Sequence, residues 1–266
     1  MPFAQHREFD TPEEKTIIWR YMDLGKLIWL IDKSALYFSS IDKLSSIDPF
    51  EGLYTRKNIN FLNLKFEDQS EEWKQKTGLN TKEKYEQSIH SNKRWLEFTK
   101  TQKKVTFVNC WHHQEYESAA MWKIYAHGNE GVAIQSTVGR LKQALSNYPD
   151  FQISIGCVKY IDYNKEIIES DNLLNLFLHK RKSYKYEEEL RALIWTMEEG
   201  KNYLSNNQYA NIDGLAVKVN LDNLIDKIYI APTAPTWIID LLNSLLSKYG
   251  LTKPIVQSNL SEGEFY

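Results

Sequence analysis

The chain has 266 residues, of which 42% are hydrophobic and 26% charged, a balance that fits a globular protein rather than a disordered or membrane chain. Lys and Arg number 33 against 35 Asp and Glu, for a formal net charge of -2, which excludes a global nucleic-acid field but permits local basic patches. The two cysteines, Cys110 and Cys157, exclude a disulfide framework and a four-cysteine zinc site, and fit a reducing cytoplasm.

The segment Met1–Asp10, carrying His6, Arg7, Glu8 and Asp10, has no apolar core like that of a signal peptide. The longest apolar runs, such as 26–30 and 237–242, fall far short of the roughly 20 residues a membrane helix needs. The expected location is therefore cytoplasmic, without a membrane partner. Eight Trp and sixteen Tyr exceed what a minimal core needs, so some rings are candidates to line a groove.

Along the chain, Thr11-Pro12-Glu13-Glu14 predicts a helix start, with Thr11 as cap and acids placed against the dipole. Ile17–Tyr21 reads as a short strand or a helix end. Asp23–Asp32 has helical spacing at Leu24, Leu27, Ile28 and Ile31, and Ala35–Ser40 reads as a strand leading to a turn through Ser45–Gly52. Residues 65–104 are charged and periodic, with Trp73, Tyr85, Trp95 and Phe98 as anchors. They predict an inserted pair of surface helices broken near Gly78-Leu79-Asn80.

A strand over Val105–Trp111 precedes a helix over Glu117–Ala126, for which His127-Gly128 is a plausible stop. A strand at Gly131–Gln135, a helix at Val138–Ser146 and a long strand at Phe151–Tyr160 follow. A helix at Asn172–Lys180 leads into a charged strand, Tyr186–Trp195. Strands at Leu215–Val219 and Lys227–Ile230, a helix at Trp237–Lys248 and a strand at Pro254–Gln257 complete the order. Without regular β-α-β alternation, the pattern predicts an α+β fold: one domain over 1–266, a mixed, mostly antiparallel sheet with flanking helices, and the helical insertion. No internal repeat, low-complexity tract or phosphate-binding glycine loop is present.

The charged strand is the densest chemical signal. On one extended strand, Glu187, Glu189 and Arg191 share a face at spacings of roughly 6 to 7 Å, which makes either an ion-pair network or a reactive site. On a helix, Glu115, Ser118, Trp122 and Tyr125 form a stripe, either core or ligand-facing. Cys110 and His112 share a strand face. Zinc lacks further ligands there at usual spacings, and nothing marks an oxyanion hole for a cysteine nucleophile. Arg20 offers a planar fork for phosphate or carboxylate, or a plain ion pair.

Trp19-Arg20-Tyr21, Leu36–Ser39, Asp48-Pro49-Phe50-Glu51, Cys110-Trp111, Ser118–Tyr125 with Gly131–Ile134, and Glu187-x-Glu189-x-Arg191 together resemble the bacterial domain-of-unknown-function family 2971. The resemblance runs from about Trp19 to Ser258 and implies boundaries and motifs, not a reaction. A second resemblance, in motif order, is to ADP-ribosyltransferases, including toxins that modify DNA: an early arginine, a Ser-containing strand and a late glutamate on a strand. Glu189–Ile194, Val217–Leu221 and Ile228–Ile230 are similar to the end of those domains. The Ser39-Ser40 pair departs from their Ser-Thr-Ser form, and the insertion at 65–104 has no counterpart.

This second resemblance implies an NAD-consuming transferase or glycohydrolase, a toxin or phage-defence effector, with a protein or nucleic-acid acceptor. Glu189 would stabilise the oxocarbenium-like transition state, and Glu187 would orient the acceptor or take its proton. Arg20 would grip the pyrophosphate, Ser39 would hold a ribose or support Glu189, and Trp122 or Tyr125 would stack on a flat ring. Arg191 would contact phosphate or neutralise the glutamates. Two other classes stay open. One is a metal-dependent nuclease using Asp48, Glu51 and Glu189 with Lys218, although no acidic motif of fixed spacing marks it. The other is a non-catalytic module that senses a nucleotide or protein. No sequence feature sets an oligomeric state.

Overall fold

The computed structural model describes residues 9–126, 128–169, 172–197 and 207–261. The chain enters through β1 (Ile17–Asp23), α1 (Leu24–Lys33) and β2 (Ala35–Ser40). Asp23 caps α1 by accepting from the Lys26 amide at 2.8 Å, and Ser34 ends it in the left-handed region at φ 44°. These two caps make a tight strand-helix-strand unit. Four helices follow: α2 (Ile41–Leu44), α3 (Arg56–Phe61), α4 (Glu71–Thr77) and α5 (Lys82–Gln102). The predicted break in the insertion is Gly78, at φ 71° between α4 and α5. Tyr85 is buried, and the Trp95 indole donates to the Tyr54 hydroxyl at 3.1 Å.

Next come β3 (Thr106–His113), α6 (Ala119–Tyr125), β4 (Gly131–Thr137), α7 (Val138–Leu145), β5 (Ile153–Cys157), β6 (Lys159–Ile161) and β7 (His179–Arg181). The last part holds β8 (Glu189–Trp195), β9 (Gly214–Lys218), α8 (Leu221–Leu224), β10 (Lys227–Ile230), α9 (Trp237–Lys248) and β11 (Ile255–Gln257). The architecture is α+β with a mostly antiparallel main sheet. Its path runs β11-β10-β4-β1-β3-β2-β9, with β8 joined to both β3 and β5. Among the described residues only β10 and β11 pair in parallel within it, and β6 with β7 forms a separate parallel pair.

The sheet is split at its centre. One edge of β3 is occupied by β8 from Thr106 through His112. The other edge is shared, because β1 pairs with it at His112 and His113 while β2 pairs at Phe107 and Val108. Neither reaches the stretch between, so β1 and β2 diverge opposite Asn109–Trp111. Asn109 bridges the gap by donating from Nδ2 to the Tyr37 carbonyl at 2.8 Å. The bridge satisfies a carbonyl that would otherwise face an open sheet edge.

The main core lies on one face, where α1, α7 and α9 bury Leu27, Ile31, Leu141, Leu145, Ile238 and Leu242 against Ile18, Phe107, Ile134, Leu190 and Ile194. The opposite face carries two smaller clusters, one around Val108, Leu176, Phe177 and Leu193 and one around Trp19, Tyr21, Met121 and Trp122. Among the described residues no helix is long and apolar enough to cross a membrane.

Several expectations are corrected. Thr11 starts no helix: its hydroxyl donates to the Ile155 carbonyl at 2.5 Å, and the Asp10 carbonyl accepts from the Cys157 amide at 2.8 Å, so this segment runs along β5. The predicted long strand at 151–160 is two short ones. The predicted helix at 172–180 is a 3-10 turn, Leu173–Leu178, followed by β7, whose pairing with β6 draws Lys180 into a ladder. The charged strand begins only at Glu189. Lys182–Glu187 is a 3-10 turn, and Glu188 turns the corner at φ 37°, ψ 58°. Glu115 lies before α6, and Ser118 is its N-cap. His127 of the predicted helix stop, and residues 1–8 of the amino-terminal reading, lie outside the described residues.

Close backbone approach fixes one edge. Gly214 of β9 pairs with Ser39, and a Cβ there would sit 2.4 Å from Tyr37 Cζ and 2.5 Å from the Phe38 carbonyl oxygen. Replacing Gly214 with Ala is expected to cost about 1–3 kcal/mol, read as a lower urea midpoint at unchanged slope. An unchanged midpoint would contradict this approach.

Candidate active site

A cavity of about 560 Å³ occupies the split. Its walls come from β1, β2, β3 and β8, with α1, α6, the 45–52 segment and the turn before β8 closing it. Strand alternation sets what each face contributes. Trp19, His112 and Glu189 are register partners and point one way, as do Cys110 and Arg191. Arg20, one residue on, belongs to the other face with Trp111, and its guanidinium carbon lies 5.9 Å from that ring's centroid. Arg20 and Glu189 therefore line one cavity only because β1 and β2 part between them.

The floor is a chain of ion pairs. Arg191 is fully buried; its Nε and Nη2 donate to the two oxygens of Glu189 at 2.7 and 3.0 Å, and its Nη1 donates to Glu51 at 2.6 Å and to the Phe177 carbonyl at 2.7 Å. The Lys180 ammonium bridges Glu189, at 3.3 Å, and Glu187, in a very short contact. Glu187 also accepts from the Tyr125 hydroxyl at 3.0 Å. Three carboxylates thus face two cations, leaving an excess negative charge on the floor.

Burial alone would raise the pKa of Glu189, but Arg191 and Lys180 overcome it and hold the group down at about 2. Glu187 goes the other way. Its burial and the Glu189 charge outweigh the pull of Lys180 and raise it above the ordinary carboxylate value. Burial also drives the Cys110 thiol well up, which makes it no thiolate nucleophile.

Three buried polar atoms on this cavity's lining residues have no partner among the described groups: Arg20 Nη1, Asp48 Oδ2 and His112 Nε2. The Arg20 guanidinium makes a long 3.4 Å contact to the Tyr37 carbonyl, and desolvation lowers its pKa to about 10. Unpaired buried polar atoms are costly, and ligand sites are where proteins retain them.

Of the residues singled out from sequence, Glu187, Glu189, Arg191, Arg20, Ser39 and Tyr125 all line the cavity. Trp122 does not. It is 4% exposed, meets Tyr21 edge-on at 5.0 Å, and donates its indole N–H to Glu117 at 2.9 Å, so no face is free to stack on a ligand. The rings on the lining that keep exposed surface are Trp29 and Tyr37, whereas Trp111 is as buried as Trp122, with its indole N–H donated to Asn109 at 2.7 Å. Lys180 was missed by placing it at a helix end. The signal that could have found it was the His179-Lys180-Arg181 run ahead of three glutamates, which need cations once buried.

Among the described residues no group of three His, Cys, Asp or Glu could hold a metal ion. The acids considered as magnesium ligands face cations: Glu51 and Glu189 share Arg191, and Asp48 meets Arg181 at 2.7 Å. Lys218 is spent on the Lys33 carbonyl at 2.6 Å.

Residues 121–192 match a family described as a protein of unknown function, DUF2971, a narrower stretch than the span of the sequence motifs. No curated protein matches the chain. Among solved structures, the chain is similar to DarT of Thermus sp. 2.9 in complex with NAD+, at 7% sequence identity and a TM-score of 0.41, covering 95% of this chain and 100% of that one. The complex of the same protein with carba-NAD+ gives 8% identity and a TM-score of 0.33, covering 93% and 97%.

The floor carries a stability signature. Arg191→Met leaves Glu51 and Glu189 buried with their main cation gone, with an expected loss of about 3–5 kcal/mol. The depressed Glu189 contributes stability at neutral pH that is lost as pH falls from about 4.5 through about 2, and the raised Glu187 contributes with the opposite sign. Urea midpoints at pH 7 and pH 2.5 should differ less in Glu189→Gln than in wild type; an equal pH dependence would contradict the ion-pair assignment.

Proposed function

We propose that this protein cleaves the bond between nicotinamide and ribose in NAD and passes the ADP-ribosyl group to an acceptor or to water. The observation that carries the reading is the polarity of this cavity. A desolvated guanidinium with an unpartnered N–H stands on one side of the split, and a net-negative carboxylate floor on the other. A ligand that fits carries an anion at one end and develops positive charge at the other, as a pyrophosphate joined to a reacting ribose does.

The chemistry follows from those charges. As the glycosidic bond breaks, its electron pair leaves on nicotinamide and positive charge grows on the ribose. The excess negative charge on the floor stabilises that state more than the ground state. Glu189, with both oxygens held by Arg191 and Lys180, is a fixed anion and acts through its field. Glu187 has the raised pKa and is the stronger base, so it receives the acceptor's proton. Arg20 takes the pyrophosphate, Ser39 supports the ribose, and Trp29 or Tyr37 takes the flat ring that Trp122 cannot reach.

A protein or nucleic-acid acceptor, and a role as a toxin or phage-defence effector, follow from the resemblance in motif order and belong to the same proposal. A cytoplasmic setting fits two free cysteines.

The test is nicotinamide release from NAD. Glu187→Gln keeps the shape of the site and should slow release by about 10²–10⁴-fold, whereas Arg20→Ala should act mainly through KM. No release by wild type, with protein and nucleic-acid acceptors supplied, would contradict the reading.

A further inference from the structure

Two unpartnered atoms, each buried on a residue that lines the cavity, remain outside that chemistry. Asp48 is almost wholly buried, and its Oδ1 accepts from Arg181 Nη2 at 2.7 Å and from the Phe50 amide at 3.1 Å. Arg181 is fixed in turn: its guanidinium carbon lies 4.7 Å from the Phe50 centroid and 5.4 Å from that of Tyr184, whose hydroxyl accepts from it at 3.3 Å. One carboxylate oxygen is therefore held by two donors, Arg181 and the Phe50 amide, while the other, Oδ2, is buried with no donor.

His112 has the same character. Its Nδ1 lies 2.6 Å from the Glu187 carbonyl oxygen. A carbonyl can only accept, so Nδ1 carries the proton, and in the neutral ring Nε2 holds a lone pair. That atom too is buried without a partner, in a residue 3% exposed. Both residues adjoin the acidic floor. His112 bonds the backbone of Glu187, and Asp48 pairs with Arg181, the neighbour of Lys180.

Both atoms are acceptors on a floor already holding two cations, so the complementary ligand group is a neutral donor presented at more than one point. Sugar hydroxyls meet that need, and they can accept from Lys180 in return. Resting on the reading of the cavity as an ADP-ribosyl site, we infer that Asp48 and His112 read the hydroxyl groups of the ligand's reacting ribose, selecting ribose over deoxyribose. A site built to hydrogen-bond a hydroxyl rejects the analogue lacking it, because its own buried acceptor is then left bare.

Calorimetric titration of ADP-ribose, and of its 2-deoxy and 3-deoxy counterparts in the terminal ribose, tests this without turnover. Wild type should bind ADP-ribose at least about tenfold tighter than the deoxy ligands. Asp48→Asn, which turns the unpartnered acceptor into a donor, and His112→Phe should each bring the ratio for one deoxy ligand toward one. Equal affinity of wild type for all three ligands, undiminished discrimination in both variants, or no binding of ADP-ribose would overturn the inference, and the wild-type comparison needs no variant to fold. The two proposals fail separately: hydroxyl discrimination without nicotinamide release sinks only the reaction, and nicotinamide release without discrimination sinks only the inference.

Discussion

Arg191 is a guanidinium with no solvent exposure, placed on a central strand, and the site is organised around satisfying it. A buried cation of this kind costs several kcal/mol unless its donors are all engaged. Glu189 takes two N–H groups from the same strand, while Glu51 and the Phe177 carbonyl take Nη1. Those acceptors come from the 45–52 segment and the 173–178 turn. One charge thereby pins two loops, one of them 140 residues away in sequence, against the sheet. Lys180 extends the network to Glu187, and Tyr125 closes it from α6.

The second constraint is the divergence of β1 and β2. A continuous sheet would separate Arg20 from Glu189 by its own thickness, because alternation puts them on opposite faces. The capped α1 unit joins the two strands tightly at one end, yet they meet β3 at different points, and the stretch between is left open except for the Asn109 bridge. The opening lets one ligand touch both faces. Pairing energy is given up at the centre of the sheet, and the aromatic and aliphatic packing on its two faces offsets the loss.

Much of this was legible in the sequence, and the reasons are local. Leu24, Leu27, Ile28 and Ile31 specify α1 by period, Ala35–Ser40 is a clean strand, and Gly78 breaks the insertion where a left-handed residue is needed. Glu187, Glu189 and Arg191 stood out because burying charge is expensive. Their mutual arrangement was not legible. Period-two reasoning put all three on one strand, whereas Glu187 reaches the floor from a 3-10 turn through a left-handed Glu188. Nor could spacing show that Trp122 turns inward onto Tyr21, that Lys180 sits on a strand, or that Asp48 and His112 keep bare acceptors. Those facts depend on contacts between distant segments, which local pattern does not encode.

The central claim is that one dinucleotide spans the split, with its pyrophosphate at Arg20 and its reacting ribose over Glu187. A crystal structure with a non-hydrolysable NAD analogue tests this directly. The account predicts a phosphate oxygen within hydrogen-bond distance of Arg20 Nη1 and ribose hydroxyls at Asp48 Oδ2 and His112 Nε2. An analogue bound elsewhere, or one lying wholly on one face of the sheet with Arg20 Nη1 still bare, would contradict it.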